Sequence, residues 1–384
     1  MIYINPKNPR FIKDDKFKKL VNSIKDFPKM LELRPIIVNP DGMILGGNMR
    51  YRALQQLGWE IKPEWVKTAE SLTAEEQRRF IVEDNVGFGD WDWDELSTEY
   101  DKEELEDWGL DVDKWKDEEV VEDEVPEVTD NPVSKLGEVY QLGRHRVMCG
   151  DSTKIEDVDK LMDGKKADMV FTDPPYNADY EGRGKNNLGK IDNDAMSNDQ
   201  FDKFINGFVP LLITFTKDGG AFYVCCNWKD SYPRFYFNLQ NSGINISANI
   251  VWNKGSGGMG WQDYRYQYEF IIYGFKKGDS HSWYGGRTET DIWEKNRDAR
   301  QSYNHPTQKP VELSARAIKN SSKSEDIVLD LFLGSGSTLI ACEQTNRICY
   351  GMEIDPKYID VIRKRYAKFI GKEEEWEKIT PALK

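Results

Sequence analysis

Hydrophobic and polar positions change period along the 384-residue chain, and each change marks a different kind of element. Phe17, Leu20, Val21 and Ile24 share one helical face, which predicts a helix over Phe17–Phe27. Pro35-Ile36-Ile37-Val38 is a continuous apolar run and reads as a buried strand. Asn39-Pro40-Asp41-Gly42 is a turn sequence, and Met43-Ile44-Leu45 a second strand. Gly46-Gly47-Asn48 leads into a predicted helix over Met49–Leu57, closed by Gly58. Ser71-Leu72-Thr73-Ala74-Glu75-Glu76 has capping-box character ahead of another helix. Residues 1–89 are therefore expected to form a small α/β domain.

The pattern breaks at residue 90. Residues 90–132 are expected to be an acidic connector carrying Trp91, Trp93, Trp108 and Trp115. The tryptophans argue against complete disorder as far as Trp115. Asp117 to Asp130, with valines as its main apolar groups, is expected to be a solvated linker. From Val133 apolar strand patterns alternate with helical ones through to residue 384. That alternation predicts an α/β, Rossmann-like domain with a mixed, mostly parallel sheet covered on both faces.

Composition changes this picture in three places. No apolar run approaches the roughly 20 residues that a membrane span requires. The N-terminus lacks a basic-then-apolar signal pattern, so a cytoplasmic protein with no membrane partner is expected. Five cysteines and three histidines lack metal-ligand spacing, so no metal site is expected, and the adjacent Cys225 and Cys226 are expected in the core. The net charge of −14 would oppose nucleic-acid binding if it were spread evenly. It is not: residues 90–130 hold 20 acidic and 3 basic side chains, leaving the rest of the chain slightly basic.

Two segments carry the chemistry. The apolar strand Met169-Val170-Phe171 runs into Asp173-Pro174-Pro175-Tyr176. In open α/β sheets, ligands sit at the carboxyl ends of strands. Two prolines stiffen this loop and leave their carbonyls as acceptors between a carboxylate and an aromatic face. A planar, amine-bearing ligand suits it. Downstream, Ile327-Val328-Leu329-Asp330-Leu331 reads as a strand, followed by Phe332-Leu333-Gly334-Ser335-Gly336-Ser337-Thr338 and a helix. Glycines at such a turn let a cofactor approach the backbone near a helix N-terminus. Glu353, after the next strand and about 20 residues past the glycines, is placed to accept ribose hydroxyls. These features alone suit nicotinamide and adenosylmethionine cofactors equally.

Together, the Asp-Pro-Pro-Tyr loop and the Phe-x-Gly-x-Gly turn resemble the amino-methyltransferases of DNA over roughly residues 136–370. The catalytic loop comes first, as in their β group. The resemblance implies S-adenosylmethionine as cofactor and adenine N6 as target, with Asp173, Pro174, Pro175 and Tyr176 catalytic. Asp at the first loop position is typical of adenine enzymes, and Ser of cytosine-N4 enzymes. The cofactor residues implied are Asp330, Phe332, Gly334, Ser335, Gly336, Ser337, Thr338 and Glu353, with Asp151 on the adenine of the cofactor. Thr307, Gln308 and Lys309, in His305-Pro306-Thr307-Gln308-Lys309-Pro310, are expected near its methionine part. Double-stranded DNA is the expected partner and a homodimer the expected assembly, in the setting of DNA modification and restriction. DNA contacts are expected from Arg183, Lys185 and Lys190, and from Arg287, Arg297 and Arg300 in a target-recognition segment at about 276–303. Gly46-Gly47-Asn48-Met49-Arg50-Tyr51-Arg52 resembles the N-terminal domain of ParB-like proteins, making Arg50 and Arg52 candidate phosphate or DNA contacts. Two other readings stand beside this one. The first is a cytosine-N4 or RNA methyltransferase on the same fold, and the second a ParB-like DNA-binding adaptor with an inactive methylase half.

Overall fold

The computed structural model describes residues 2–5, 10–11, 14–84, 90–91, 96, 100, 105, 120–177, 195–255, 263–286, 289–295 and 309–383. The chain divides into two compact units, Met1–Asp117 and Glu118–Lys384.

The first unit is a small α/β fold. A short strand β1 (Arg10–Phe11) pairs antiparallel with β5 (Asp90–Trp91). Between them come α1 (Asp14–Asp26), α2 (Met30–Leu33), β2 (Ile36–Val38), β3 (Ile44–Gly46), α3 (Asn48–Leu57), β4 (Val66–Thr68) and α4 (Ala74–Glu83). β2 is the middle strand of a three-stranded sheet, antiparallel to β3 and parallel to β4. Ile24, Leu31, Ile36, Ile44, Leu54 and Trp65 form its core. The apolar spacing placed both long helices within a few residues of their observed bounds. The capping box sits at Thr73, whose hydroxyl accepts from Glu76 N while Glu76 accepts from Thr73 N.

The second unit is a Rossmann-like fold around a nine-stranded mixed sheet. In chain order its strands are β6 (Val139–Leu142), β7 (His145–Cys149), β8 (Ala167–Thr172), β9 (Thr216–Cys226), β10 (Ile244–Asn253), β11 (Tyr268–Lys276), β12 (Ile292–Glu294), β13 (Ile327–Asp330) and β14 (Ile348–Glu353). The spatial order is β12-β10-β11-β9-β8-β13-β14-β7-β6. The five middle strands, β9-β8-β13-β14-β7, are parallel, and antiparallel β11 and β6 flank them. Successive side chains on a strand point to opposite faces, so one apolar run feeds two cores. Tyr223 and Cys225 face the layer formed by α8 (Val311–Ser321), α9 (Ser337–Gln344) and α10 (Pro356–Phe369). Phe222, Val224 and Cys226 face α5 (Ile155–Met162), α6 (Asn198–Thr214) and α7 (Ser231–Asn241). The expectation that Cys225 and Cys226 are core residues holds, on opposite faces.

Topology fixes where a ligand can sit. The chain leaving β8 crosses to β9 on one side, whereas the chain leaving β13 crosses to β14 on the other. The adjacent carboxyl ends of β8 and β13 therefore open a crevice at a topological switch point. Thr172 Oγ1, at the end of β8, donates to Asp330 Oδ1, at the end of β13, over 2.7 Å.

One expectation is corrected. Residues 120–126 are docked and not a free linker: Val125 is buried and Asp123 forks onto buried Arg365, whereas Glu124 and Asp130, which pair with Lys368 and Lys357 of α10, stay exposed. An acidic run looks solvated when its basic partners lie more than 200 residues further along the chain.

Replacing Thr172 by valine preserves shape and removes one donor from a buried carboxylate. Thr172→Val is expected to cost about 1–3 kcal/mol of stability, read from the urea-unfolding midpoint of the second unit. A loss within a few tenths of a kcal/mol would show that the β8–β13 bond is not a stabilising joint.

Candidate active site

Asp173-Pro174-Pro175-Tyr176 follows β8 directly, and Pro174 is buried. Both oxygens of Asp173 have partners. Tyr176 donates its hydroxyl to Oδ1 over 2.5 Å, and Lys309 Nζ donates to Oδ2 over 2.8 Å. Lys309 immediately precedes the Pro310 cap of α8, and its side chain is 8% exposed. Its ammonium also reaches the Tyr176 oxygen at 3.0 Å and Glu269 Oε2 at 2.9 Å. An ammonium has three donors, and these three partners use them all. Glu269, on β11, takes a second ammonium, from Lys254, on its other oxygen. The Lys309 ammonium lies 5.2 Å from the ring centre of Tyr176 and 5.7 Å from that of Trp252.

Electrostatics follows from this packing. Burial alone would push Lys309 down, but Asp173 and Glu269 outweigh it and hold the ammonium well above its ordinary range. Burial would push Glu269 up, but Lys309 and Lys254 outweigh it and keep the carboxylate well below its usual range. Burial, with the carboxylates of Asp173 and Glu269, pushes the Tyr176 hydroxyl well up. The site is thus a fixed array of charges with a neutral phenol between them.

The glycine turn lies across the crevice. Gly334 has φ of 54° and Gly336 of 90°, conformations that other residues rarely adopt. A side chain at Gly336 would press on Ile362, whereas the side of Gly334 where one would project is open space. Phe332 packs its ring on Phe204 and Phe208 of α6, with centroids 5.7 and 5.0 Å away. Asp330 is fully committed within the protein. Its oxygens accept from Thr172, Thr338 Oγ1 at 2.7 Å and the amide of Phe332 at 3.0 Å, so it shapes the turn from beneath. Burial pushes its pKa up to about 6. Ser337 Oγ donates to the Lys309 carbonyl over 2.8 Å, joining the glycine turn to the lysine. Glu353 ends β14 and accepts the amides of Gly334 and Asp355, each at 3.0 Å. Asp151, just after β7, holds the turn Asp151–Thr153 by accepting the Thr153 amide and hydroxyl.

The structure brings Asp173, Pro174, Pro175, Tyr176, Lys309, Asp330, Phe332, Gly334, Ser335, Gly336, Ser337, Thr338 and Glu353 to the β8 and β13 ends or to elements hydrogen-bonded to them. Thr307, Gln308, Arg183, Lys185, Lys190, Arg287, Arg297 and Arg300 lie outside the described residues. Arg52, on α3 of the first unit, is exposed; Arg50 donates to the Pro35 carbonyl at 3.1 Å. Glu269, which the Tyr176 hydroxyl reaches, and Lys254 and Trp252, which contact Glu269 and Lys309, were not anticipated beside the Asp-Pro-Pro-Tyr loop. The signal lay in strand register: Trp252 and Glu269 are opposite one another in the β10–β11 pair. Asn177 was also missed. Its side chain bonds both the amide and the carbonyl of Met196 and so staples together the two ends of segment 178–194.

Residues 167–364, just over half of the chain and including both loops and Lys309, match the family model described as DNA methylase. The protein belongs to the DNA methylase family. It is similar to the Type II methyltransferase M.HinfI of Haemophilus influenzae, at 28% identity over 54% of this chain and 64% of that protein. This methylase thus spans less than two thirds of that relative's length. The Type II methyltransferase M.HpaI of Haemophilus parainfluenzae is 26% identical over 57% of this chain and 73% of its own. Among solved structures, the M1.HpyAVI–SAM complex is similar at a TM-score of 0.46 and 22% identity, covering 57% of this chain and 97% of that one.

S-adenosylmethionine is the cofactor of this family, and the glycine turn fits it. The face of Gly334 is open, and beside it stands a carboxylate with few partners for its charge. Burial pushes Glu353 up to about 7, even though three backbone amides, of Asp355, Gly334 and Ile354, favour its ionised form. A folded-state pKa raised above the ordinary carboxylate value means that the ligand-free protein loses stability as pH rises through about 7. A ligand donating hydroxyls to Glu353 favours the ionised form. Affinity for S-adenosylmethionine is therefore expected to rise between about pH 6 and pH 8, with proton release on binding, measured calorimetrically in buffers of different ionisation enthalpy. Glu353→Gln should weaken binding and flatten that pH dependence; pH-independent binding by the wild type would contradict the assignment.

Proposed function

We propose that the protein transfers the methyl group of S-adenosylmethionine to the N6 amine of adenine in double-stranded DNA. The observation that carries this reading is the Thr172–Asp330 hydrogen bond. It ties the strand that ends in the Asp-Pro-Pro-Tyr loop to the strand that ends in the glycine turn, so an amine on Asp173 faces whatever the glycine turn holds.

Asp173 and the Pro174 carbonyl accept the two amine hydrogens and aim the nitrogen lone pair, which in free adenine is delocalised into the ring. Lys309 fixes the direction of the Asp173 carboxylate through its hydrogen bond to Oδ2. When an amine takes its place at Oδ2, the ammonium keeps its bond to Glu269 at 2.9 Å and remains paired. Tyr176 stacks on a base flipped from the duplex, replacing lost stacking. Asp173 works as a hydrogen-bond acceptor that orients the amine, and the proton lost by the methylated nitrogen passes to solvent. Bound S-adenosylmethionine supplies the electrophilic methyl group. Orientation in a closed site supplies much of the acceleration.

Asp at position 173 favours adenine over the cytosine-N4 amine, which has the same two hydrogens to offer. DNA contacts are assigned to Arg183, Lys185, Lys190, Arg287, Arg297 and Arg300, and the first unit is assigned as a ParB-like module that contacts DNA through exposed Arg52. Among the described residues no helix is long and apolar enough to cross a membrane, and the protein is proposed to act in the cytoplasm as a dimer.

Expression in a methylation-free host followed by nucleoside mass spectrometry is expected to show N6-methyladenine in the DNA. N4-methylcytosine would move the target, methylation confined to RNA would move the substrate, and no methylated base would favour a DNA-binding adaptor. Asp173→Ala is expected to lower kcat by about a thousandfold or more with S-adenosylmethionine affinity kept within a fewfold. Wild-type turnover in that variant would remove Asp173 from the mechanism.

A further inference from the structure

Arg365 lies on α10 with no exposed side-chain surface. Two of its nitrogens fork onto Asp123: Nε donates to Oδ2 over 2.8 Å and Nη2 to Oδ1 over 2.5 Å. The third, Nη1, donates to the Ser335 carbonyl at 2.9 Å and lies 3.4 and 3.3 Å from the hydroxyls of Ser335 and Ser337. Ser335 stands between the two glycines of the cofactor turn. A guanidinium presents its donors in a rigid planar fork, so fixing two arms on Asp123 fixes the direction of the third.

Asp123 is itself held along a length of chain. The amide and carbonyl of Val121 bond the side-chain amide of Gln344, the last residue of α9, at 2.8 and 2.9 Å. Glu122 accepts the amide of Glu312 in the first turn of α8, three residues from Lys309. Glu124 pairs with Lys368, and Val133 N and Ser134 N donate to Asp360. Residues 120–134 thus engage all three helices on the glycine-turn face of the sheet. Neither Asp123 nor Arg365 lies within the stretch matched by the family model, which ends at residue 364.

We infer that residues 120–134 are a clasp for the cofactor turn, with Asp123 and Arg365 as positioning residues. The pair turns the Ser335 carbonyl inward and so holds the Gly334 side open to S-adenosylmethionine. The effect continues through Ser337 to the Lys309 carbonyl, but its first consequence is cofactor affinity and not the chemical step. This rests on the glycine turn being the S-adenosylmethionine site.

The test uses the full chain with Asp123→Asn, which keeps the shape and removes the charge that orients Arg365. The expected result is a rise of about tenfold in both Kd and KM for S-adenosylmethionine, with kcat and the KM for DNA changed less than twofold. Asp123→Glu should recover part of the affinity. An unchanged KM for S-adenosylmethionine would overturn the inference, and so would a parallel loss in kcat and both KM values, the mark of general loosening. Hydrogen exchange on the wild-type protein gives a reading that does not depend on a variant folding. S-adenosylmethionine should slow exchange in residues 333–338 and in 120–125 together, and slowing in the turn alone would overturn the clasp. Failure of the wild type to bind S-adenosylmethionine in calorimetry would instead remove the underlying assignment of the site.

Discussion

A single buried carboxylate joins the two halves of the crevice. Asp330 accepts hydrogen bonds from Thr172 at the end of β8, from Thr338 at the start of α9, and from the backbone just beyond β13. Its three donors come from the three segments that must stay in register for an amine acceptor and a cofactor turn to face each other. Burial raises its pKa to about 6, so its charge is costly and the donors offset that cost. An unpaired donor or acceptor here would cost more than the bond gains, which makes the arrangement all-or-none. The crevice owes its geometry to that constraint, and the Asp-Pro-Pro-Tyr loop and the glycine turn are both hung from it.

Above this joint the charges are arranged in pairs. Among the described residues Asp173 and Glu269 alternate with Lys309 and Lys254, so the largely buried pocket holds two of their charges of each sign. Buried ion pairs rarely add much stability, because desolvation consumes the Coulombic gain. Their use here is directional. Lys309 sits between two carboxylates and can give up Asp173 to an incoming amine without becoming an unpaired buried cation. An apolar pocket of the same shape would bind a base face but would have nothing to aim its amine.

Much of this was legible in the sequence because the chemistry is local there. Asp173–Tyr176 is four consecutive residues after an apolar strand. The glycine turn and Glu353 form one strand-turn-helix-strand unit, read by the same spacing rules that found the helices of the first unit. What stayed hidden depends on residues distant in sequence and close in space. Glu269 reaches Tyr176 across 93 residues, and only the register of β10 against β11 places it opposite Trp252. Asp123 was read as part of a solvated acidic run because Arg365 is 242 residues away. Asp330 was expected to touch cofactor because the resemblance implied it. Three internal donors, none predictable from spacing, occupy its oxygens beneath the turn.

The same distant pairing changes what the chain's acidity means for binding DNA. The net charge of −14 comes from residues 90–130, and three acidic groups near the end of that stretch are paired with cations. Asp123, Glu124 and Asp130 stand against Arg365, Lys368 and Lys357, and the Arg365 pair is buried. Such pairs contribute little to the field at a distance, and at physiological salt exposed charges more than about 8 Å away are largely screened. Repulsion of phosphate by this segment is therefore weaker than the formal count implies. Among the described residues of this stretch, Asp123 is the acidic group spent on holding the helices together, because its arginine partner is buried.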